Sequence, residues 1–240
     1  MNAACGARKP VSPSDVRISY PLSAPKPTQR NMPLDLLSRL KNETAACHAR
    51  LENALDLMRD DLQRDEYIAL LERFYGYVAP WEDAAAACMP ATLASFFDAR
   101  RKAPLLAADL AALTGAQLCV ECVPQADPRC DLPRMRNIGG ALGSMYVMEG
   151  STLGGRFIAP HVAACLDLAP GLGNAYFDGY GPRTGSMWNA FRETAASSVP
   201  EIQYDDAVKA AIATFDTLHA WLCPEAAEVE ASQQAQGAAS

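Results

Sequence analysis

Apolar residues recur at helical spacing along most of residues 31–223, whereas alternating strand-like runs bounded by turn residues are scarce. This pattern predicts an all-α fold. The first predicted helix begins after Pro33. A second begins at Asp65 and is interrupted or bent at Pro80, because proline lacks the N–H that a helix interior requires. Further helices are predicted over residues 93–101, 105–114, 133–168, 186–197 and 205–222, with Pro160 as a kink in the longest.

A single folded domain is expected at residues 31–223, with a disordered segment at each end. Residues 1–30 combine prolines with polar and charged residues and have no apolar period, and residues 224–240 consist mainly of Ala, Glu, Gln, Ser and Gly. Such compositions bury too little apolar surface to offset the entropy of folding. The domain itself, at about 190 residues, is large enough to bury a stable core.

The charge and hydropathy of the chain exclude two classes of partner. The net charge is −7 and the pI is about 5.0, without a tract of Lys or Arg, so a nucleic-acid surface is not expected. No segment approaches the roughly 18 apolar residues of a membrane helix, and the first residues lack the apolar core of a secretory signal. We therefore expect a cytoplasmic protein without a membrane partner.

The eight cysteines are expected to be ordinary small apolar residues, because disulfides are rare in cytoplasmic chains of this size. Cys119, Cys122 and Cys130 form the one spacing that resembles a metal or redox site. Neither a fourth cysteine nor a nearby histidine completes that set, so free thiols are the favoured interpretation.

His48 lies in the first predicted helix between a cation and a carboxylate. Lys41 precedes it by two turns and Glu52 follows by one turn, so all three side chains share one face. Haem requires an axial nitrogen, an acceptor that orients the imidazole, and a cation for its propionates. The spacing of the row thus suits a ligand such as haem that lies across the helix. The alternative is a surface histidine that pairs with the glutamate four residues later.

Six glycines fall within a short stretch of the longest predicted helix. Each glycine in a helix interior costs about 1 kcal/mol relative to alanine, so the cluster needs a compensating use. One use is a bare face, centred on Gly150 and Gly154, against which a flat ligand rests. The other is close packing between helices. The six residues are Gly139, Gly140, Gly143, Gly150, Gly154 and Gly155.

Four segments resemble the haem oxygenase family. L-K-N-E-T-A-A-C-H-A-R-L-E (residues 40–52) resembles the proximal helix of that family, and Y-V-M-E-G-S-T-L-G-G-R-F-I (residues 146–158) resembles its glycine-rich distal helix. Residues 177–192 and 213–222 are also similar, most closely to the bacterial enzymes associated with bacteriophytochromes. The resemblance implies a single-domain helical bundle in which haem lies between a proximal helix and a kinked distal helix.

The same resemblance implies a reaction. Haem would be both substrate and cofactor, and would be cleaved oxidatively to biliverdin, carbon monoxide and ferrous iron. Electrons would come from an external donor such as ferredoxin or a reductase. Biliverdin would supply the bilin chromophore of a bacteriophytochrome.

Residue roles on the proximal side also follow from the resemblance. His48 would be the axial iron ligand, and Glu52 would orient its ring. Lys41 would contact one propionate. Arg192, from the penultimate helix, would be a second propionate contact.

On the distal side, Gly150, Gly154 and Gly155 would form the helix that faces the bound ring, and Phe215 would form an aromatic wall of the pocket. Ser151 stands where the animal enzymes carry an aspartate that orders distal water. We expect backbone amides and a water molecule held by this serine to supply the proton.

Two other classes of function remain as alternatives. A haem carrier or sensor would keep His48 and the pocket but would not turn haem over. A thiaminase-like or di-iron enzyme would share the scaffold without haem, although the three histidines are widely separated and no Glu-x-x-His pair exists. Of the other histidines, His161 is expected at a kink or on the surface, and His219 is expected to face solvent.

Overall fold

The computed structural model describes residues 35–169, 171–227 and 229–230, and this part of the chain contains no β-strand. The all-α prediction is therefore confirmed. Single turns of 3-10 helix lie at Ala91–Leu93, Val120–Cys122, Gly181–Arg183 and Glu201–Gln203. The α-helices are α1 (Leu36–Leu55), α2 (Arg64–Cys88), α3 (Ala94–Asp98), α4 (Ala103–Thr114), α5 (Ile138–Cys165), α6 (Ala175–Asp178), α7 (Thr184–Ser198) and α8 (Tyr204–Leu222).

Capping residues set the helix ends that apolar spacing alone placed only roughly. The Asp35 carboxylate accepts the Ser38 N–H at 3.0 Å and so begins α1. Helix α5 begins five residues later than predicted, because the Asn137 side chain caps it by accepting the Gly140 N–H at 2.9 Å. Helix α4 ends as predicted at Gly115, whose φ of +70° only glycine adopts readily. The short helix α6 was not predicted.

Helix α2 continues through Pro80, where an interruption or bend was expected. Proline has no N–H, so the carbonyl oxygen of Gly76, one turn earlier, lacks its partner within the helix. The Ala126 N–H donates to this oxygen at 2.9 Å. The loop can come this close because residue 76 is glycine, since a Cβ there would overlap the Pro124 carbonyl oxygen. The α4–α5 loop thus replaces the hydrogen bond that Pro80 removes.

Helix α8 lies at the centre of the packing, against α1, α2 and α5. A chain of hydrogen bonds joins three of these helices in the core. The Trp81 indole N–H of α2 donates to the Ser144 hydroxyl of α5 at 2.8 Å, and Ser144 shares a 2.7 Å hydrogen bond with the Thr214 hydroxyl of α8. Ser144 and Thr214 are fully buried, so each polar group has its partner inside the protein.

Three glycines of α5 allow its backbone to touch its neighbours. A Cβ on Gly143 would overlap the backbone of Ala207 in α8, and one on Gly155 would overlap the carbonyl oxygen of Phe177 in α6. A Cβ on Gly139 would press on Gln203 at 2.7 Å. Close helix packing is therefore the correct interpretation of these three residues.

Buried Asp109 of α4 positions α6. Its carboxylate oxygens accept the backbone N–H groups of Ala175 and Tyr176, each at 2.8 Å. Burial raises the pKa of this carboxyl group, although the two N–H donors favour the ionised form. The contact fixes the start of α6 and therefore the Phe177 backbone that packs on Gly155.

The C-terminal segment differs in part from the predicted disorder. Residues 224–227 are helical, and the Glu230 carboxylate lies 3.6 Å from Nε2 of His219. His219 is buried on α8, so the expectation that it faces solvent is wrong. Residues 1–30 and 231–240, which were also predicted to be disordered, lie outside the described residues.

Two further sequence-based expectations concern the cysteines and the membrane. Cys119 and Cys122 form a disulfide, so the expectation of free thiols is wrong for this pair.

Among the helices of the described residues, none is both long and apolar enough to cross a membrane.

We predict that Gly143→Ala destabilises the protein and that Gly140→Ala does not. The added methyl group at 143 must force α5 and α8 apart, which lowers the free energy of unfolding by about 1–3 kcal/mol. At 140 the nearest atom to the new Cβ is the Met135 Cα at 3.5 Å, an ordinary contact. That variant should be neutral or more stable by up to about 1 kcal/mol. Urea unfolding of both variants measures the difference. Equal effects would contradict the close approach at Gly143.

Candidate functional site

The candidate site begins with His48, whose side chain is 53% exposed on α1. Its Nδ1 lies 3.2 Å from Oε2 of Glu52, one turn later. The ring of Phe215, from α8, meets the imidazole edge to face, with 5.8 Å between the ring centroids. A carboxylate at Nδ1 leaves Nε2 as the nitrogen available to a ligand, and the aromatic contact fixes the ring plane.

Two exposed cations lie toward the amino-terminal half of α1. Lys41 precedes His48 by seven residues, or about 10 Å along the axis. Arg192 of α7 lies near the start of α1, where Asp35 is. The pKa of the Asp35 carboxyl is lowered, chiefly by hydrogen bonds from Ser38, and the Arg192 guanidinium contributes a smaller electrostatic effect. Both cations thus lie on the side of His48 opposite Glu52.

A second surface is formed by one face of α5. Because an α-helix turns about 100° per residue, Gly143, Gly150 and Gly154 lie within about 40° of one another around the axis. At Gly143 this face is covered by the backbone of α8. At Gly154 a Cβ would meet only the Ile158 side chain of the same helix, at 3.8 Å. The face that packs on α8 at one end is therefore open at the other.

Aromatic and apolar side chains border the open part of this face. The Trp188 ring of α7 lies 3.8 Å from the Cβ position of Gly150 and 5.5 Å, between ring centroids, from Tyr146. Leu153 and Phe157 are 36% and 65% exposed, which is unusual for side chains of their size. Sequence reasoning missed these residues. For Leu153 and Phe157 the signal was their spacing of four residues, which places both along one border of the glycine face.

Ser151 is exposed beside this face, and its hydroxyl donates to the Met148 carbonyl oxygen at 2.9 Å. The hydroxyl proton is thus used within the helix. Its lone pairs remain available, so Ser151 can accept a hydrogen bond from a ligand or a water molecule.

Two residues that were expected on the distal side lie elsewhere. Gly155 is buried about 120° around the helix from Gly143, against α6, and does not belong to the open face. Phe215 packs on the imidazole of His48, so its ring lies on the histidine side and not in a distal wall. The α5 helix is continuous from Ile138 to Cys165.

A buried charge network holds the residue before Gly150. Glu149, 1% exposed, accepts hydrogen bonds from Lys102 Nζ at 2.5 Å and from the Tyr180 hydroxyl at 2.7 Å. Its other oxygen lies 3.3 Å from Nε of Arg100. Burial and the neighbouring carboxylate raise the pKa of Tyr180, so its hydroxyl stays protonated. Sequence reasoning missed this network. Its signal was a single charged residue within 138–155.

The di-iron alternative requires several carboxylates and histidines around one point. Within the described residues, one group of three potential metal ligands converges, namely Asp60, His161 and Cys165. It contains a single carboxylate and a single histidine. The described residues therefore offer no di-iron site.

The model of the heme oxygenase family matches residues 34–223. The fold is similar to that of the NO- and CO-bound heme oxygenase from Neisseria meningitidis, with a TM-score of 0.63, 23% identity, and coverage of 79% of this chain and 90% of that one. It is also similar to heme oxygenase from Leptospira interrogans, with a TM-score of 0.65, 16% identity, and coverage of 80% and 100% respectively. A comparison with curated protein sequences finds no significant match. Because the family model spans most of its length, the chain belongs to the haem oxygenase family and is a haem-degrading oxidoreductase.

Proposed function

We propose that the chain binds haem through His48 and cleaves it to biliverdin, carbon monoxide and ferrous iron. One observation carries the proposal: an exposed imidazole oriented by Glu52 lies on a helix that shares α8 with the open glycine face of α5. In this proposal, a porphyrin would lie between the two. The imidazole of His48 would ligate the iron on one side, and the glycine face, which lacks side chains, would lie on the other.

The residues fit haem in their chemistry as well. Neutral imidazole is a common axial ligand of haem iron, and an acceptor at Nδ1 strengthens Nε2 as a donor. Lys41 and Arg192 are exposed cations suited to two propionates. Leu153 and Phe157 offer apolar surface to the ring.

When bound, haem supplies both the iron that activates dioxygen and the ring that is oxidised. On the proximal side, Glu52 holds the imidazole of His48 in one tautomer. Phe215 restricts rotation of the same ring from the α8 side. The two contacts present Nε2 in a single direction, from which it would hold the iron of bound haem.

On the distal side, the missing side chains of Gly150 and Gly154 would leave room for dioxygen when haem is bound. The apolar groups of Leu153 and Phe157 limit the entry of bulk water. Ser151 would accept a hydrogen bond from one ordered water, since its own proton is donated to the Met148 carbonyl oxygen. That water is the proton source that we propose for the reaction.

Electrons come, in this proposal, from an external donor such as ferredoxin or a reductase, and the reaction takes place in the cytoplasm. The similarity of residues 146–158 and 177–192 to the bacteriophytochrome-associated subgroup supports use of biliverdin as a phytochrome chromophore.

A non-catalytic haem carrier or sensor is the second candidate. Adding ascorbate or reduced ferredoxin to the haem complex distinguishes the enzyme from the carrier. Only in the enzyme should the bound haem lose its Soret band and form a green product.

We predict that His48→Ala abolishes turnover and changes the spectrum of the bound haem. Wild-type protein should bind one haem per chain, and the variant should lack the nitrogen-ligated iron spectrum. Added imidazole should restore that spectrum, because it occupies the space that the side chain leaves. Absorption spectroscopy and a single-turnover assay make the measurement. An unchanged spectrum would place the ligand at another residue, such as His161 or His219.

We predict that neutralising Lys41 and Arg192 together scatters the site of ring cleavage. Binding should weaken by less than about tenfold, because the buried ring provides most of the affinity and exposed ionic contacts contribute little. Chromatography of the biliverdin isomers gives the result. The matched control is Lys41→Arg with Arg192→Lys, which retains both charges and should retain one isomer. A single unchanged isomer from the neutral variant would mean that pocket shape alone sets the orientation.

We predict that Gly154→Leu folds and binds haem but forms biliverdin about a hundredfold more slowly, because its side chain fills the space for dioxygen. The open surroundings of Gly154 accommodate the side chain within the fold. Gly155→Ala is the contrasting variant. It should lower the melting temperature with or without haem, since its methyl group meets the Phe177 carbonyl oxygen. Thermal melts and single-turnover assays separate the two effects. An unstable Gly154→Leu that still turns haem over normally would refute this placement of the distal face.

A further inference from the structure

Three side chains that can ligate a metal meet at the carboxyl-terminal end of α5, beyond Gly154 along the helix axis. His161 and Cys165 lie one turn apart on α5, and Asp60 comes from the loop between α1 and α2. One potential ligand atom from each residue lies within 4.8 Å of the other two. His161 follows Gly154 by seven residues, or about 10 Å along the helix.

The distances suit a small cation. Nε2 of His161 lies 3.5 Å from Sγ of Cys165. Tetrahedral zinc, with its usual bonds to nitrogen and sulfur, separates these two atoms by about 3.5 Å. Nε2 also lies 3.0 Å from the Arg59 carbonyl oxygen, which in the absence of metal accepts its hydrogen. A cation that replaces this hydrogen would face the sulfur, the carboxylate and that carbonyl oxygen.

The charges nearby leave the Asp60 carboxylate available. The Arg59 guanidinium, its closest cation in sequence, pairs instead with Asp61 at 3.5 Å and with Glu66 at 2.5 Å. Within the described residues, Asp60 takes part in no ion pair. His161 and Cys165 are partly buried and Asp60 is exposed, so an ion can enter from solvent and then be partly shielded.

We propose that Asp60, His161 and Cys165 form a binding site for a divalent cation of the zinc class, distinct from the haem site. Thiolate and imidazole ligands select borderline-soft cations such as Zn²⁺ over Mg²⁺ or Ca²⁺. Binding requires the thiol to release its proton to solvent, and the histidine binds as the neutral imidazole. The ion joins the α1–α2 loop to the end of α5, and so ties the histidine-bearing helix to the glycine-bearing helix.

The first experiment uses Co²⁺, because a cobalt–thiolate bond gives a near-ultraviolet charge-transfer band. The starting protein is haem-free and reduced, and carries His48→Ala, Cys119→Ser and Cys122→Ser, so that neither the proposed haem ligand nor the Cys119–Cys122 pair can bind the probe. It should bind one Co²⁺ per chain and show the band. Cys165→Ser should abolish the band, whereas Cys130→Ser, at an exposed free cysteine elsewhere, should leave it unchanged. Absence of the band, or its survival in Cys165→Ser, would overturn the proposal.

The second experiment measures Zn²⁺ affinity by competition with a chromophoric chelator. His161→Ala and Asp60→Asn should each weaken Zn²⁺ binding by at least about tenfold, since even indirect contacts to a metal carry effects of that size. Asp60→Asn alters an exposed side chain, so it should fold even where the other variants do not. Unchanged affinity in that variant contradicts the site.

Calorimetry of the haem-loaded wild-type chain tests the structural consequence. Saturating Zn²⁺ should raise the melting temperature by roughly 5 °C or more, by mass action on the folded state. Asp60→Asn should lose this rise. A rise of equal size in both proteins would show binding elsewhere and would overturn the assignment.

Discussion

The backbone contact between Gly143 of α5 and Ala207 of α8 is the constraint on which the site depends. Eight residues further along α8, or about 12 Å, Phe215 packs on His48 of α1. One helix therefore touches both the glycine-bearing helix and the histidine. A side chain at residue 143 would move α5 away from α8, and would change the distance between the imidazole and the open glycine face. The distance between the imidazole and the open glycine face is thus set by a backbone contact outside the candidate site.

The glycines of α5 serve two different purposes within one helix. Gly143 and Gly155 allow backbones to touch, whereas Gly150 and Gly154 leave a surface without side chains. The difference comes from the neighbours, since Gly143, Gly150 and Gly154 share nearly the same face. Helix α8 covers that face at its beginning only. The loss of helix propensity at each glycine, about 1 kcal/mol, is thus offset by packing at some positions. At Gly150 and Gly154 a structural gain of this kind is absent, which favours a role in binding.

Local features of the fold could be predicted from the sequence, and non-local ones could not. The stop of α4 at Gly115 depends on residues within one turn, and so does the pairing of His48 with Glu52. Helical spacing and residue type are enough to identify both. Whether a glycine faces a backbone or open space depends on which helix passes over it. The position of Phe215 on the histidine side depends likewise on how α8 crosses α1. The spacing of residues along a single helix reveals neither relation. The resemblance to the haem oxygenase family identified these residues, but not which residues surround them.

The Glu149 network extends the same reasoning to charge. A buried carboxylate is costly unless its partners are in place, and here the partners come from residues 100–102 and from Tyr180. The same segment is held on α2, where Glu82 accepts the backbone N–H groups of Lys102 and Ala103. Any displacement of α5 near Gly150 would separate Glu149 from two cations and leave all three charges buried. The network stabilises one position of the helix more than it stabilises the fold as a whole. A single charge in an otherwise uncharged glycine-rich run therefore fixes the helix where side-chain packing is sparse.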